Sequence, residues 1–369
     1  MVVIYDTTLR DGAQMPGVAF TRQQQHEIAH ALDELGVDEI ELGFPASGEA
    51  QCADISSIVD SGLNARTLAL ARPIRRDLDN AALCGVDGVI IVSAFSDIHL
   101  RDKLGTDFDT ALRASAEAAL YARERGLFVQ VSFEDATRTP PDRVAGAARA
   151  LAASGAQRIG LADTVGMAKP EQFSALVARV IGDAGIAVAV HCHDDFGLAV
   201  ANTLAAVESG ATAISTTING LGERSGNAAT EECVAALEIL YKHPTSVRLD
   251  RLTEVCRLVA AHSGVPIPAN KGVVGGNSFR HESGIHVAAM LRNTGCYEPY
   301  PPALVGGTRE YVLGKTSGRA AIRHVAALYD IQLDDEQCLT LLRRLQELSE
   351  TGEPLDELRI RSLLAEVTR

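Results

Sequence analysis

Two histidines stand two residues apart in His191-Cys192-His193, after the apolar run Ala187-Val188-Ala189-Val190 and before Asp194-Asp195. In a strand, residues i and i+2 point to the same face. Both imidazoles can therefore meet one metal ion. A carboxylate completes a set of two histidines and one acid that leaves positions open for a substrate. Asp11, just past the first apolar run, is the candidate for it. Asn227 sits in the glycine-bracketed loop Gly220-Leu221-Gly222-Glu223-Arg224-Ser225-Gly226-Asn227 and offers a carbonyl oxygen as a fourth ligand or a close neighbour. Taken alone, a pair of this spacing also suits core or surface histidines, and the loop also reads as a plain turn.

Other residue types point to an anionic substrate. Guanidinium groups pair bidentately with carboxylates, which makes Arg10, Arg72 and Arg138 candidate binders. Each also reads as an ordinary surface ion-pair arginine, Arg10 least so because it adjoins Asp11. Gln130, Ser132 and Glu134 alternate along one strand and share a face. Glu134 is a carboxylate placed to orient or accept a proton; a salt bridge to Arg138, four residues on, is the competing role.

Eight short β-rich runs must position these groups: 2–5, 39–43, 66–70, 88–93, 128–133, 158–161, 187–191 and 213–217. Helical stretches lie between them, as in 21–35, where Ile28, Leu32 and Leu35 fall at helical spacing. Eight strand–helix units in about 240 residues match a (β/α)₈ TIM barrel, whose reactive side chains sit at the C-terminal strand ends. A doubly wound open sheet ranks lower, since no GxGxxG follows the first strand. The expected division is a catalytic barrel over 1–245, a linker or lid over 246–310, and a small helical subdomain over 311–369. Helices are expected at 252–263, 320–328, 336–348 and 355–367.

The chain has 369 residues, 46% of them hydrophobic, and a net charge of −14. That charge argues against nucleic acid and anionic membranes as partners. No apolar run reaches the roughly 18 residues of a membrane span, and the N-terminus lacks the pattern of a signal peptide. Seven cysteines without a CxxC pair fit reduced thiols in a cytoplasmic protein.

Five segments, in order, carry a family resemblance: DTTLRDGAQ at 6–14, HCHDDFGLAVAN at 191–202, NGLGERSGNAATEE at 219–232, HESGIH at 281–286 and LGKTSGRAAI at 313–322. Together they resemble the DRE-TIM metallolyases, in the homocitrate synthase and 2-isopropylmalate synthase branch, and most of all the homocitrate synthases of the nitrogenase-cofactor type. The resemblance implies a Claisen condensation of acetyl-CoA with a 2-oxo acid, releasing CoA. The implied acceptor is 2-oxoglutarate; a phosphonopyruvate acceptor (2-phosphonomethylmalate synthase) and 2-isopropylmalate synthesis are the alternatives. An acyl-CoA lyase or aldolase of the same fold is the rival class, disfavoured because the lyases carry a reactive cysteine in the glycine loop.

Residue by residue, the resemblance makes Asp11, His191 and His193 ligands of a divalent ion (Mg, Mn, Co or Zn), with Asn227 in or near the shell. Arg10 would stabilise an oxyanion, Gln14 and Thr164 would contact substrate, and Glu134, His286 and Tyr297 would deprotonate acetyl-CoA. It further implies a homodimer in which the C-terminal region reaches the partner barrel. Ala13 stands where the family has an acid, and Thr316 where it has histidine. Gln130 stands where lysine-pathway homocitrate synthases have arginine and isopropylmalate synthases an acid.

Overall fold

A computed structural model describes residues 1–351 and 355–368. The expected TIM barrel is present. Eight parallel strands close on themselves in chain order: β1 (Val3–Asp6), β2 (Glu39–Glu41), β3 (Arg66–Ala71), β4 (Gly88–Ala94), β5 (Phe128–Glu134), β6 (Arg158–Asp163), β7 (Ala187–Cys192) and β8 (Ala213–Thr216). Closure is made by β1 against β8, with Val3 opposite Ala213 and Asp6 opposite Thr216. Eight helices follow the strands: α1 (Arg22–Leu35), α2 (Glu49–Val59), α3 (Arg75–Leu83), α4 (Phe108–Glu124), α5 (Pro141–Ala153), α6 (Pro170–Ala184), α7 (Ala199–Glu208) and α8 (Thr230–Ile239). A ninth, α9 (Leu252–Ser263), packs on α1.

The strands take their burial from both sides. Side chains such as Ile4, Ile40, Ile91, Val131 and Val190 are fully buried, and each is worth roughly 1.5–3 kcal/mol relative to exposure. Alternate positions point inward, where Tyr5, Leu68, Ile90, Ala189 and Ala213 form the barrel's own core. Helix ends are set locally. The Thr21 hydroxyl accepts from the Gln24 amide and the Gln24 side chain accepts from the Thr21 amide, which caps α1 reciprocally. Gly36 ends α1 at φ 91°, and a Cβ there would stand 2.5 Å from the Ser246 carbonyl.

Two compact units divide the chain, Met1–Ile267 and Pro268–Arg369. Residues 352–354 and 369 of the expected subdomain 311–369 lie outside the described residues. The second unit is mostly helical: α10 (Gly284–Met290), α11 (Arg319–Ala327), α12 (Asp335–Thr351) and α13 (Glu357–Val367). Its core gathers Val287, Ile322, Val325, Leu341, Leu345, Leu363 and Leu364. Sequence reasoning missed its two-residue parallel strands, β9 (Arg280–His281) and β10 (Glu310–Tyr311), and a π-helical turn after β4, His99–Leu104. Among the described residues no helix is long and apolar enough to cross a membrane, and none of the seven cysteines is in a disulfide.

Candidate metal centre

The C-terminal ends of the barrel strands surround a cavity of about 690 Å³. His191, near the end of β7, and His193, just past it, face one another with Nε2 atoms 3.2 Å apart. Asp11 arrives from the turn after β1, with Oδ2 3.7 Å from His191 Nε2. One ligand atom from each of the three lies within 4.8 Å of the others. Burial, then the adjacent His193, pushes His191 down to about 3 against the pull of Asp11. Burial also pushes His193 down. Neutral imidazoles keep lone pairs for a cation. Burial would raise the Asp11 carboxyl, but Arg10 and the two histidines hold it below the usual carboxylate range. Cys192, between the histidines, is fully buried, and burial pushes its thiol up, away from nucleophilic use.

These residues fit a divalent ion. The second nitrogen of His191, Nδ1, is 3.0 Å from Ser215 Oγ, a contact that fixes the ring and turns Nε2 toward the cluster. Asn227 Nδ2 donates to Asp11 Oδ1 at 2.9 Å and to the Leu221 carbonyl at 3.0 Å. Among the described residues, Asn227 Oδ1 and His193 Nδ1 are buried without a hydrogen-bond partner. Such orphaned atoms are costly unless something satisfies them, and two nitrogens, a carboxylate and an amide oxygen suit a hard or borderline cation.

Arg10 is held from below. Its Nε and Nη2 donate to the two oxygens of the buried Glu41, each at 2.9 Å, and Nη1 donates to Asp11 at 2.5 Å. A guanidinium has five N–H groups, so two remain for the cavity that Arg10 lines. Glu41 also accepts from Thr7 Oγ1 at 2.6 Å. Gln14, Arg72, Ser132, Glu134 and Thr164 line the same cavity. Arg72 is tied bidentately to Asp77 at 2.8 and 3.0 Å. Thr164 Oγ1 accepts from the Asp135 amide at 2.8 Å, which leaves its proton to donate.

Two expected substrate contacts stand elsewhere. Arg138 lies beside a separate surface depression and pairs with Asp135 at 2.7 Å, because Asp135 turns through a left-handed conformation, φ 59°. Gln130 is wholly buried inside the barrel, below the cavity wall. Glu134 pairs not with Arg138 but with Lys103 Nζ, at 2.5 Å, and stands 3.7 Å from His99 Nδ1. Sequence reasoning passed over Lys103, which the π-helical turn delivers, and Arg224, which pairs with Asp195 and donates to the Thr164 carbonyl. Glu41, the buried acid that ends β2, is another.

In the second unit, the segments HESGIH and LGKTSGRAAI meet. The Gly284 amide donates to the Thr316 carbonyl at 2.9 Å, and Thr316 donates to Glu282 Oε1 through its hydroxyl at 2.8 Å. A Cβ on Gly284 would stand 2.5 Å from the Gly318 nitrogen. His286 and Tyr297 are exposed, with ring centroids 4.1 Å apart.

The model of the HMGL-like family matches residues 1–259, and that of the homocitrate synthase post-HMGL domain matches 273–353. The chain belongs to the HMGL-like, DRE-TIM family. Its relatives include the homocitrate synthase AksA of Methanopyrus kandleri, 47% identical over 95% of this chain and 88% of that protein. The (R)-citramalate synthase CimA of Methanocaldococcus jannaschii is 42% identical over all of this chain and 75% of the relative. A probable 2-isopropylmalate synthase of M. kandleri is 44% identical over 95% and 70%. A hydroxymethylglutaryl-CoA lyase structure from Pseudomonas aeruginosa shares the fold, with a TM-score of 0.64 at 22% identity over 72% of this chain and 94% of its own. This DRE-TIM enzyme is accordingly a metal-dependent acyltransferase of the Claisen-condensing kind, a synthase that joins a 2-oxo acid to acetyl-CoA.

Proposed function

We propose that the acceptor is a 2-oxo acid bearing a second acid group, 2-oxoglutarate first and the phosphonate analogue phosphonopyruvate second. The reading is supported by the homocitrate synthase relatives and by the match to a homocitrate synthase domain over 273–353. Relatives with other acceptors are nearly as similar, so 2-oxoisovalerate stays in the comparison as an aliphatic acceptor. The observation that carries the chemistry is the approach of Asp11, His191 and His193 ligand atoms to within 4.8 Å in one cavity.

Asp11, His191 and His193, with Asn227 Oδ1, would hold the divalent ion. When bound it supplies Lewis-acid polarisation of a ketone. The two free N–H groups of Arg10 donate to the oxygen that gains charge as the carbon–carbon bond forms. Thr164 donates to the acceptor's carboxylate, and Gln14 and Arg72 bound the same space. His286, with Tyr297 beside it, is the base for the acetyl methyl group, and Glu134 serves proton transfer in the barrel cavity that it lines. The carbanion attacks the ketone carbon, the alkoxide takes up a proton, and water cleaves the thioester to release CoA. A homodimer is part of the proposal.

A thiol-release assay with acetyl-CoA and 2-oxoglutarate, phosphonopyruvate, 2-oxoisovalerate, pyruvate or oxaloacetate, with Mg²⁺, Mn²⁺, Co²⁺ or Zn²⁺, tests it. CoA release is expected with an acid-bearing acceptor. Release with 2-oxoisovalerate alone would overturn the acceptor reading.

A further inference from the structure

One side chain that the proposed chemistry does not use joins three of the strand-end loops around the cavity. Arg224 lies in the loop after β8 and lines the cavity. Its Nε and Nη2 donate to the two carboxylate oxygens of Asp195, in the loop after β7, at 2.8 and 2.9 Å. Nη2 also donates to the Thr164 backbone carbonyl, just past β6, at 2.6 Å. A guanidinium is planar and its N–H directions are fixed. With one fork closed on Asp195, the direction of the second Nη2 hydrogen is set, and it meets the Thr164 carbonyl.

Asp195 has little room to give way. Gly166 turns through φ 60° against it, and a Cβ there would stand 2.5 Å from Asp195 Oδ2 and 2.8 Å from the His193 carbonyl oxygen. The Asp194 amide donates to the Gly226 carbonyl at 2.9 Å, which ties this loop to the one that bears Arg224. Arg224 is itself at φ 58°, a left-handed conformation that is unfavourable for a residue other than glycine. The side chains of Arg224 and Asp195 are 41% and 21% exposed, and an ion pair so open to water adds little to global stability. Stability alone therefore does not account for the strained backbone. Thr164 is the residue that gains: its Oγ1 accepts from the Asp135 amide at 2.8 Å and its carbonyl accepts from Arg224. With both oxygens held, the hydroxyl proton is left for the cavity that Thr164 lines.

We propose that Arg224, braced by Asp195, is a positioning residue for the condensation: it fixes the Thr164 backbone and so aims the Thr164 hydroxyl at the carboxylate that every 2-oxo acid carries beside its ketone. The inference rests on the role of Thr164 proposed above and adds what holds Thr164 in register. It concerns the carboxylate that all the acceptors share and is independent of the acceptor's side chain.

CoA release is measured for the wild type, Arg224→Lys, Asp195→Asn, Thr164→Val and the double variant D195N/T164V, with each 2-oxo acid that the wild type turns over. Mn²⁺ titration and circular dichroism report the metal centre and the fold. R224K keeps the positive charge without the fork, and D195N removes a negative charge while loosening the fork. Neither makes the site less positive. A charge that merely attracts an anionic acceptor would leave the acceptor's KM unchanged in R224K and lower it in D195N. Positioning has the opposite sign. Each variant should raise the acceptor's KM about tenfold, the scale of one hydrogen bond to a charged group, and by the same factor for every acid. The KM for acetyl-CoA and the Mn²⁺ affinity should not move. T164V should raise the acceptor's KM likewise, and D195N should add nothing in the double variant, as coupled residues behave.

An acceptor KM unmoved or lowered in D195N, or a full additional loss in D195N/T164V, overturns the inference, while a raised KM in T164V leaves the role of Thr164 standing. Loss of Mn²⁺ binding in R224K and D195N overturns it too, since the pair would then support the metal ligands instead. A KM unmoved in T164V overturns the inference and the role of Thr164 together. Absence of CoA release from the wild type with every acid overturns the condensing reading as well.

Discussion

At the scale of single residues, the centre depends on groups that have no independent choice of position. Asp11 is gripped by Arg10 and Asn227, and Arg10 is gripped by Glu41. Glu41→Gln is predicted to lower kcat by roughly a hundredfold, the scale of losing one aligned oxyanion donor, while the metal affinity changes little. Steady-state kinetics beside a metal titration check it; an unchanged kcat would show that Arg10 needs no anchor. Much of this shell was legible in the sequence. The spacing of His191 and His193 and the strand-end position of Asp11 are local features. The partners of Glu134, Arg138 and Gln130 were not legible. Each is set by a residue from another segment or by a backbone turn: Lys103, Asp135 and Arg158.

At the scale of elements, most of the eight strands stood out because they are short apolar runs between turn residues, buried on both faces; β2, Glu-Ile-Glu, is buried although two of its three residues are acids. The structure extends several of them toward the cavity, so that Glu134 and Asp163 end β5 and β6. The π-helical turn and the two-residue strands carry no periodicity long enough to read. The glycine loop after β8 is packed tightly. A Cβ on Gly222 would lie 2.2 Å from Asn227 Nδ2 and 3.0 Å from Asp11 Oδ1. Gly222→Ala should push Asn227 off Asp11 and weaken metal binding about 10- to 100-fold, as loss of ligand-orienting contacts does, with little change in helix content. Circular dichroism and metal titration together test this; wild-type affinity in G222A would mean that Asn227 does not orient Asp11.

At the scale of the whole molecule, stability should carry a signature from one carboxyl. Burial raises Asp6 to about 7, with hydrogen bonds from Thr8 and Thr230 opposing it. The unfolded chain titrates this group near 4. The folded state thus holds the proton more tightly, and the stability this adds is complete below about pH 4 and fades as pH rises through about 7. The span is on the order of 4 kcal/mol. Asp6→Asn should therefore gain relative to wild type between pH 5 and pH 8, read from urea midpoints; a difference that does not vary with pH would contradict it. The central claim is that a barrel closed from eight distant segments brings Asp11, His191 and His193 onto one divalent ion that turnover requires. The most direct measurement is calorimetric titration of chelator-treated protein with Mn²⁺, wild type against His191→Ala, alongside CoA release. The account predicts one site per chain and metal-dependent turnover in the wild type, with both lost in the variant. Equal stoichiometry and affinity in the two, or full turnover without metal, would contradict it.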